Sequence, residues 1–171
     1  MYRKTIEQLK DRAVELGAKD SKVIEVKTVK TASWVRYKCQ FGCSGFGECF
    51  TCPPYSPGPS ETQKILDSFR KAIIIHCQSG SRIDISKIVL KIEKEAFFSG
   101  YYKALGMGAG PCRFCRECNL KGECRHRENA RPSMEACGID VFKTVRNNGF
   151  KIDTLDSIRC KANYFGLVLI G

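Results

Sequence analysis

"AIIIHC", residues 72–77, is a short apolar run with polar chain on either side, and it reads as a buried strand. The segments flanking it decide the fold. Just upstream, Ser60 with Gln63 three residues on has the spacing of a capping box, and Ile65, Leu66 and Phe69 form the apolar face of the helix that follows. Downstream, residues 84–98 put Ile85, Ile88, Val89, Ile92 and Ala96 on one side of a second helix. "YYKALGMGAG" at 101–110 then reads as a strand running into a glycine-rich loop. Residues 132–149 predict a third helix, with Ser133 as cap, Glu135 in the first turn and "NNG" as a stop. "NYFGLVLIG" closes the chain as a strand.

The N-terminal side follows the same alternation. Residues 3–17 place Ile6, Leu9, Ala13 and Leu16 on one face of a helix ended by Gly17, and "VIEVKTV" at 23–29 alternates like a strand. "WVRYKC" at 34–39 predicts a further extended piece, and "PPYSPGPS" at 53–60 a stiff connector. Strands alternating with helices predict an α/β sandwich, for which a ferredoxin-like topology is one candidate. A cysteine-rich loop follows a strand once in each half.

The 171 residues are enough to bury a real core, and residues 1–171 are expected to form a single domain. No run of about 18 apolar residues is available to span a bilayer. The opening "MYRKTIEQLK" turns polar at once and lacks the apolar middle of a signal peptide, so a cytoplasmic location with reduced thiols is expected. Eleven cysteines in that setting point to metal or redox chemistry, and their odd number fits poorly with full disulfide pairing. The formal charge of +11 suggests an acidic partner such as nucleic acid. Metal–thiolate charge offsets part of it, because a four-iron cluster or a zinc on four thiolates carries about −2. The basic balance is therefore weak support for nucleic acid.

"PCRFCRECNLKGEC" at 111–124 carries Cys112, Cys115, Cys118 and Cys124 in the spacing C-x2-C-x2-C-x5-C. Three thiols in steps of three let one loop wrap a compact cluster, much as in the ferredoxin run C-x2-C-x2-C-x3-C-P. Zinc normally takes two separated C-x2-C pairs instead. The earlier group is Cys39, Cys43, Cys49 and Cys52, followed by Pro53-Pro54-Tyr55. It matches no common zinc pattern. Cys52, followed by proline, is its firmest ligand and Cys49 its least certain.

The remaining residues have plainer readings. Cys77 ends a strand and reads as core; Cys137 lies near a predicted helix start, a minor candidate for a reactive thiol; Cys160 has no partner nearby in sequence. His76 reads as a core or edge residue, and His126 is either an exposed side chain or a substitute zinc ligand. Arg113, Arg116, Lys121, Arg125, Arg127 and Arg131 crowd the second cysteine group, where they compensate an anionic cluster or bind RNA or a phosphorylated cofactor. "GMGAG" at 106–110 is a weak match to a dinucleotide loop, since cysteines rather than a helix follow it.

Taken in order, "CPPY" at 52–55 and "GAGPCRFCREC…CRH…RPSMEACGIDV" at 108–141 resemble an uncharacterised prokaryotic family of predicted metal-binding, cysteine-rich proteins. The resemblance covers nearly the whole chain. It implies metal ligation by Cys39, Cys43 and Cys52 in one motif and by Cys112, Cys115, Cys118 and Cys124 in the other. Cys49 and Cys137 stand outside that pattern. Whether Cys49 joins the first group therefore separates a closed four-thiol site from an open one.

The leading expectation is an iron–sulfur protein with two four-iron clusters, held by Cys39, Cys43, Cys49 and Cys52 and by Cys112, Cys115, Cys118 and Cys124. It would act in electron transfer with a redox partner protein. Two-cluster ferredoxins send one cysteine of such a run across to the other cluster, an arrangement open to these two groups as well. The alternatives are an open-site enzyme for sulfur transfer or reduction, and a zinc module binding nucleic acid through the arginine-rich loop.

Overall fold

The computed structural model describes residues 3–80, 84–157 and 159–171. Its centre is a four-stranded antiparallel sheet in the order β1-β2-β4-β3: β1 is Asp20–Glu25, β2 Lys71–Gln78, β3 Ala104–Met107 and β4 Asn163–Ile170. Strand β2 contains "AIIIHC", and its side chains alternate cleanly. Ile73, Ile75 and Cys77 point to one face, with Val168 and Ile170 of β4. Ala72 and Ile74 point to the other, with Phe165, Leu167 and Leu169. Ile73, Ile74 and Ile75 are fully buried, each contributing roughly 1.5–3 kcal/mol of apolar transfer.

Two helices cover the first face. Helix α1, Ile6–Glu15, brings Leu9 and Ala13, and α4, Ile85–Phe98, brings Ile88, Val89, Ile92 and Ala96. Thr5 caps α1 in a reciprocal box with Gln8, and Asp84 caps α4 by accepting from the Ser86 amide at 3.0 Å. Helix α4 lies so close to the sheet that a Cβ on Gly106 or Gly166 would meet a Val89 methyl at 2.7 or 2.6 Å. In "GMGAG", Gly106 serves that contact and Gly108 a similar one, where a Cβ would meet Ser86 Oγ at 2.5 Å. The opposite face is covered by α3, Pro59–Leu66, by α5, Val141–Asn147, and by the turns around Met134 and Ile139.

The architecture is thus the expected α/β sandwich, but the ferredoxin-like chain order β-α-β-β-α-β is not reproduced. The chain starts on a helix, and β2-α4-β3 forms a split unit with β4 inserted between its two strands. No helix among the described residues is long and apolar enough to cross a membrane.

Three local expectations change. Residues 34–39 are not extended but lie within a helix, α2, Ser33–Gly42. Aromatic and β-branched residues favour strands locally, yet the helix lets Val35 bury and Arg36 reach backbone carbonyls, while Trp34, Tyr37 and Phe41 turn outward. Helix α3 begins two residues earlier than the Ser60 box implied: Gly58 is the cap, Pro59 takes the first position and Glu61 accepts from the Gly58 amide at 3.0 Å. Residues 132–149 are not one helix. Gly138 adopts φ 74° and breaks it, and α5 starts at Val141, capped by Asp140, whose carboxylate accepts from the Lys143 amide at 2.9 Å.

Candidate metal centre

Each cysteine group sits on a loop whose base is pinned to the core. The second loop leaves β3 and returns to it: the Gly108 amide donates to Pro132 O at 2.9 Å, and the Met134 amide donates back to Gly108 O at 3.1 Å. Arg131 then clamps the loop to α4, its Nε and Nη2 donating to the Glu93 carboxylate at 2.7 and 3.0 Å. The first loop is tied through α2, whose start is held by the Ala32 amide on Gly138 O at 2.9 Å. Arg36 Nη1, one helical turn before Cys39, donates to Ala136 O at 2.8 Å and to Pro57 O at 3.1 Å. Further along, the Gly47 amide closes the loop on Pro53 O at 2.7 Å.

Cys112, Cys115, Cys118 and Cys124 converge, as their spacing predicts, on one cavity of about 290 Å³. Cys49 lines the same cavity, so the fold turns this residue of the first group toward the second. It also stays within hydrogen-bonding reach of Cys52. Cys39, Cys43 and Cys52 form a separate, neighbouring set. Gly45 lies between the sets: a Cβ there would stand 3.6 Å from both the Cys43 and Cys52 sulfurs and 3.7 Å from Pro111, the residue before Cys112. The Gly45 amide donates to Cys43 Sγ at 3.4 Å.

Burial, helped by neighbouring thiols, favours the protonated form of Cys39, Cys49, Cys52 and Cys112. Burial, then the neighbouring Cys49 and Cys43, push Cys52 up to about 11. Burial also raises Cys39, with help from Cys43 and Glu135, and raises Cys49, with help from Cys118 and Cys112. Burial likewise raises Cys112, next to Cys124, Cys115 and Cys118. Several thiolates side by side repel, and a bound cation reverses that penalty by displacing the protons.

The residues present fit a metal group. Among the described residues no three His, Cys, Asp or Glu side chains are closed round a single ion. The five-thiol cavity instead has about ten times the ~30 Å³ share of one water molecule, room for a polynuclear centre. At the first set, the Thr51 side chain hydrogen-bonds the Cys52 thiol, while Glu135 Oε2 is buried without a partner. Orphaned buried polar atoms of this kind ask for a ligand or ion.

Sequence reasoning missed Arg36, Gly45 and Glu135. A C-x3-C spacing is also a helical i, i+4 spacing, and that signal could have shown Cys39 and Cys43 at the end of a helix. Of the isolated cysteines, Cys77 is buried core as expected. Cys137 does not sit at a helix start; it is fully buried and burial pushes it up to about 12, which removes it as a reactive thiol. His76 is a core residue, stacked on Phe165 at 4.6 Å with Nε2 at 2.8 Å from Asn163 Oδ1. His126 lines the five-thiol cavity beside Phe114. The basic residues divide. Arg116 and Arg125 line the cavity, Arg127 pairs with Glu123 and Arg131 with Glu93, and Arg113 faces a wider groove of about 660 Å³ that shares Cys112.

No curated protein and no solved structure matches the chain. A family model does, over residues 22–170, described as "Predicted metal-binding protein (DUF2284)". That span includes both cysteine groups and every strand and helix except α1 and the first residues of β1. The chain belongs to this family of predicted metal-binding proteins.

Proposed function

We propose that the protein carries two adjacent iron–sulfur clusters and acts in electron transfer within the reducing cytoplasm, with a redox partner protein as its counterpart. Cys112, Cys115, Cys118 and Cys124 would hold one four-iron cluster and Cys39, Cys43 and Cys52 the other. When bound, such clusters supply one-electron couples. The observation that carries this reading is the five-thiol cavity of about 290 Å³ with a three-thiol set beside it. The chain's own part is to keep the two sets close, through Gly45 and Pro111, and to wall the cavity with Phe114 and the half-buried loop around Cys49. Arg116 and Arg125 at the cavity would offset anionic charge and favour the reduced state.

Anaerobic purification followed by iron, acid-labile sulfide and zinc analysis tests the proposal. About eight irons with matching sulfide are expected. A colourless protein with stoichiometric zinc and no sulfide would favour a zinc module, and a salt-dependent RNA isotherm would then assign it to nucleic acid.

A second reading is favoured by the position of Cys49. Because it faces the second group, the first retains three thiols, and a centre held there has a coordination position free of cysteine. Such a position suits sulfur transfer or reduction at an open iron.

A further inference from the structure

Among the described residues, Glu135 is the only carboxylate with a buried oxygen that makes no hydrogen bond. Leaving a carboxylate oxygen buried and unpartnered is costly, so its surroundings bear on its use. The turn that carries it is built rigidly. Ser133 Oγ accepts from the Ala136 amide at 3.0 Å and also holds the Glu135 carboxyl by a hydrogen bond. The next carbonyl, Ala136 O, accepts from Arg36 Nη1 at 2.8 Å and from Ser56 Oγ at 2.6 Å. Arg36 stands one helical turn before Cys39, and Ser56 four residues after Cys52. The turn is therefore fastened to both arms of the three-thiol set. The nearby cation does not neutralise the carboxylate: Arg36 Nη1 is taken up by Ser56, Pro57 and Ala136, and no ion pair joins Arg36 to Glu135 among the described residues.

We propose that Glu135 Oε2 is the fourth ligand of the metal centre held by Cys39, Cys43 and Cys52. This rests on the reading that those three thiols bind metal, and it adds a residue that no cysteine motif indicates. A carboxylate is a harder and more readily displaced ligand for iron than a thiolate. The iron it holds is thus the position where a substrate, sulfide or small ligand exchanges, while a resting carboxylate keeps the site closed. Glu135 acts here as a ligand and a gate to coordination.

The test compares wild type, Glu135→Gln and Cys39→Ala after anaerobic loading with 57Fe, by iron and sulfide analysis and Mössbauer spectroscopy. Wild type should show one iron with the higher isomer shift of an oxygen-bound site, and Glu135→Gln should lose that component wholly. The spectrum of the second cluster should persist. Glu135→Gln is nearly isosteric, and burial already favours the uncharged form of Glu135, so its metal-free form should melt close to metal-free wild type, which separates ligand loss from misfolding. A Glu135→Gln spectrum identical to wild type overturns the assignment. If Cys39→Ala also leaves iron content and spectrum unchanged, the three-thiol centre itself is wrong, and the assignment falls with it.

Discussion

Arg36 Nη1 donates to the carbonyl oxygen of Ala136 at 2.8 Å, joining residues 100 positions apart in the chain. The contact sets the register between the helix that carries Cys39 and the turn that carries Glu135. It also explains why "WVRYKC" is helical: an extended segment would not present Arg36 and Cys39 one turn apart on the same side.

Replacing Arg36 with alanine should therefore loosen the first site before the rest of the molecule. Charged hydrogen bonds are worth about 1.5–3 kcal/mol each, and those of Arg36 share one nitrogen, so a loss of about 2–3 kcal/mol is expected in denaturant melts of the metal-free protein. Metal content should fall by about half, with the second site intact. An unchanged midpoint would show the contact to be incidental.

Glu93 and Arg131 form the most enclosed ion pair described, the carboxylate side chain being only 10% exposed. Removing Glu93 leaves the Arg131 guanidinium, whose side chain is only 23% exposed, without its carboxylate partner. Glu93→Ala should cost about 3–5 kcal/mol, whereas a Glu93→Leu/Arg131→Met double variant should cost distinctly less. Thermal unfolding of the three proteins checks the order, and a double variant no better than the single one contradicts it.

Cys49 and Cys118 should behave differently on substitution. Cys118→Ala removes a member of the C-x2-C-x2-C run and should lose the second cluster's iron and sulfide. Cys49→Ala should leave the three-thiol centre as in wild type, because Cys49 lines the other cavity. If Cys49→Ala empties the first site selectively, its contact with Cys52 outweighs its place in that cavity.

Alkylation should rank the cysteines outside the two groups. Cys160 is exposed, and its hydrogen bonds with Ser157 hold the thiol below its usual range. Its thiolate fraction is therefore larger at any given pH below the ordinary thiol range, and its labelling by iodoacetamide should already rise near neutrality. Cys137, pushed up to about 12 by burial, should stay unlabelled until the protein unfolds. Mass spectrometry of peptides labelled across pH 6–9, about the span where thiols begin to ionise, reads both. Equal labelling of the two in the native protein would contradict this ranking.

Much of the fold was written locally. "AIIIHC", "NYFGLVLIG" and the i, i+3, i+4 pattern of residues 84–98 carry their own periodicity, and burial follows directly from it. Where competing local signals met, the sequence reading failed. Residues 34–39 have strand-like composition, and residues 132–139 have helix-like composition but include Gly138, which takes a positive φ. Long-range contacts settled both, through Arg36 in one and the bridge of Thr31 to Ile139 in the other.

The same division holds for the metal centre. By itself the sequence determined the grouping: eight thiols in two sets, one in steps of three, because spacing along a short loop is a local property. Only the tertiary structure decided membership. It turned Cys49 toward Cys112 and Cys118 while leaving it beside Cys52, and it brought Glu135 near enough to Cys39 to help raise that thiol. The physical reason is that both placements depend on where two loops, anchored on different strands, are pressed together by hydrogen bonds between residues far apart in the chain.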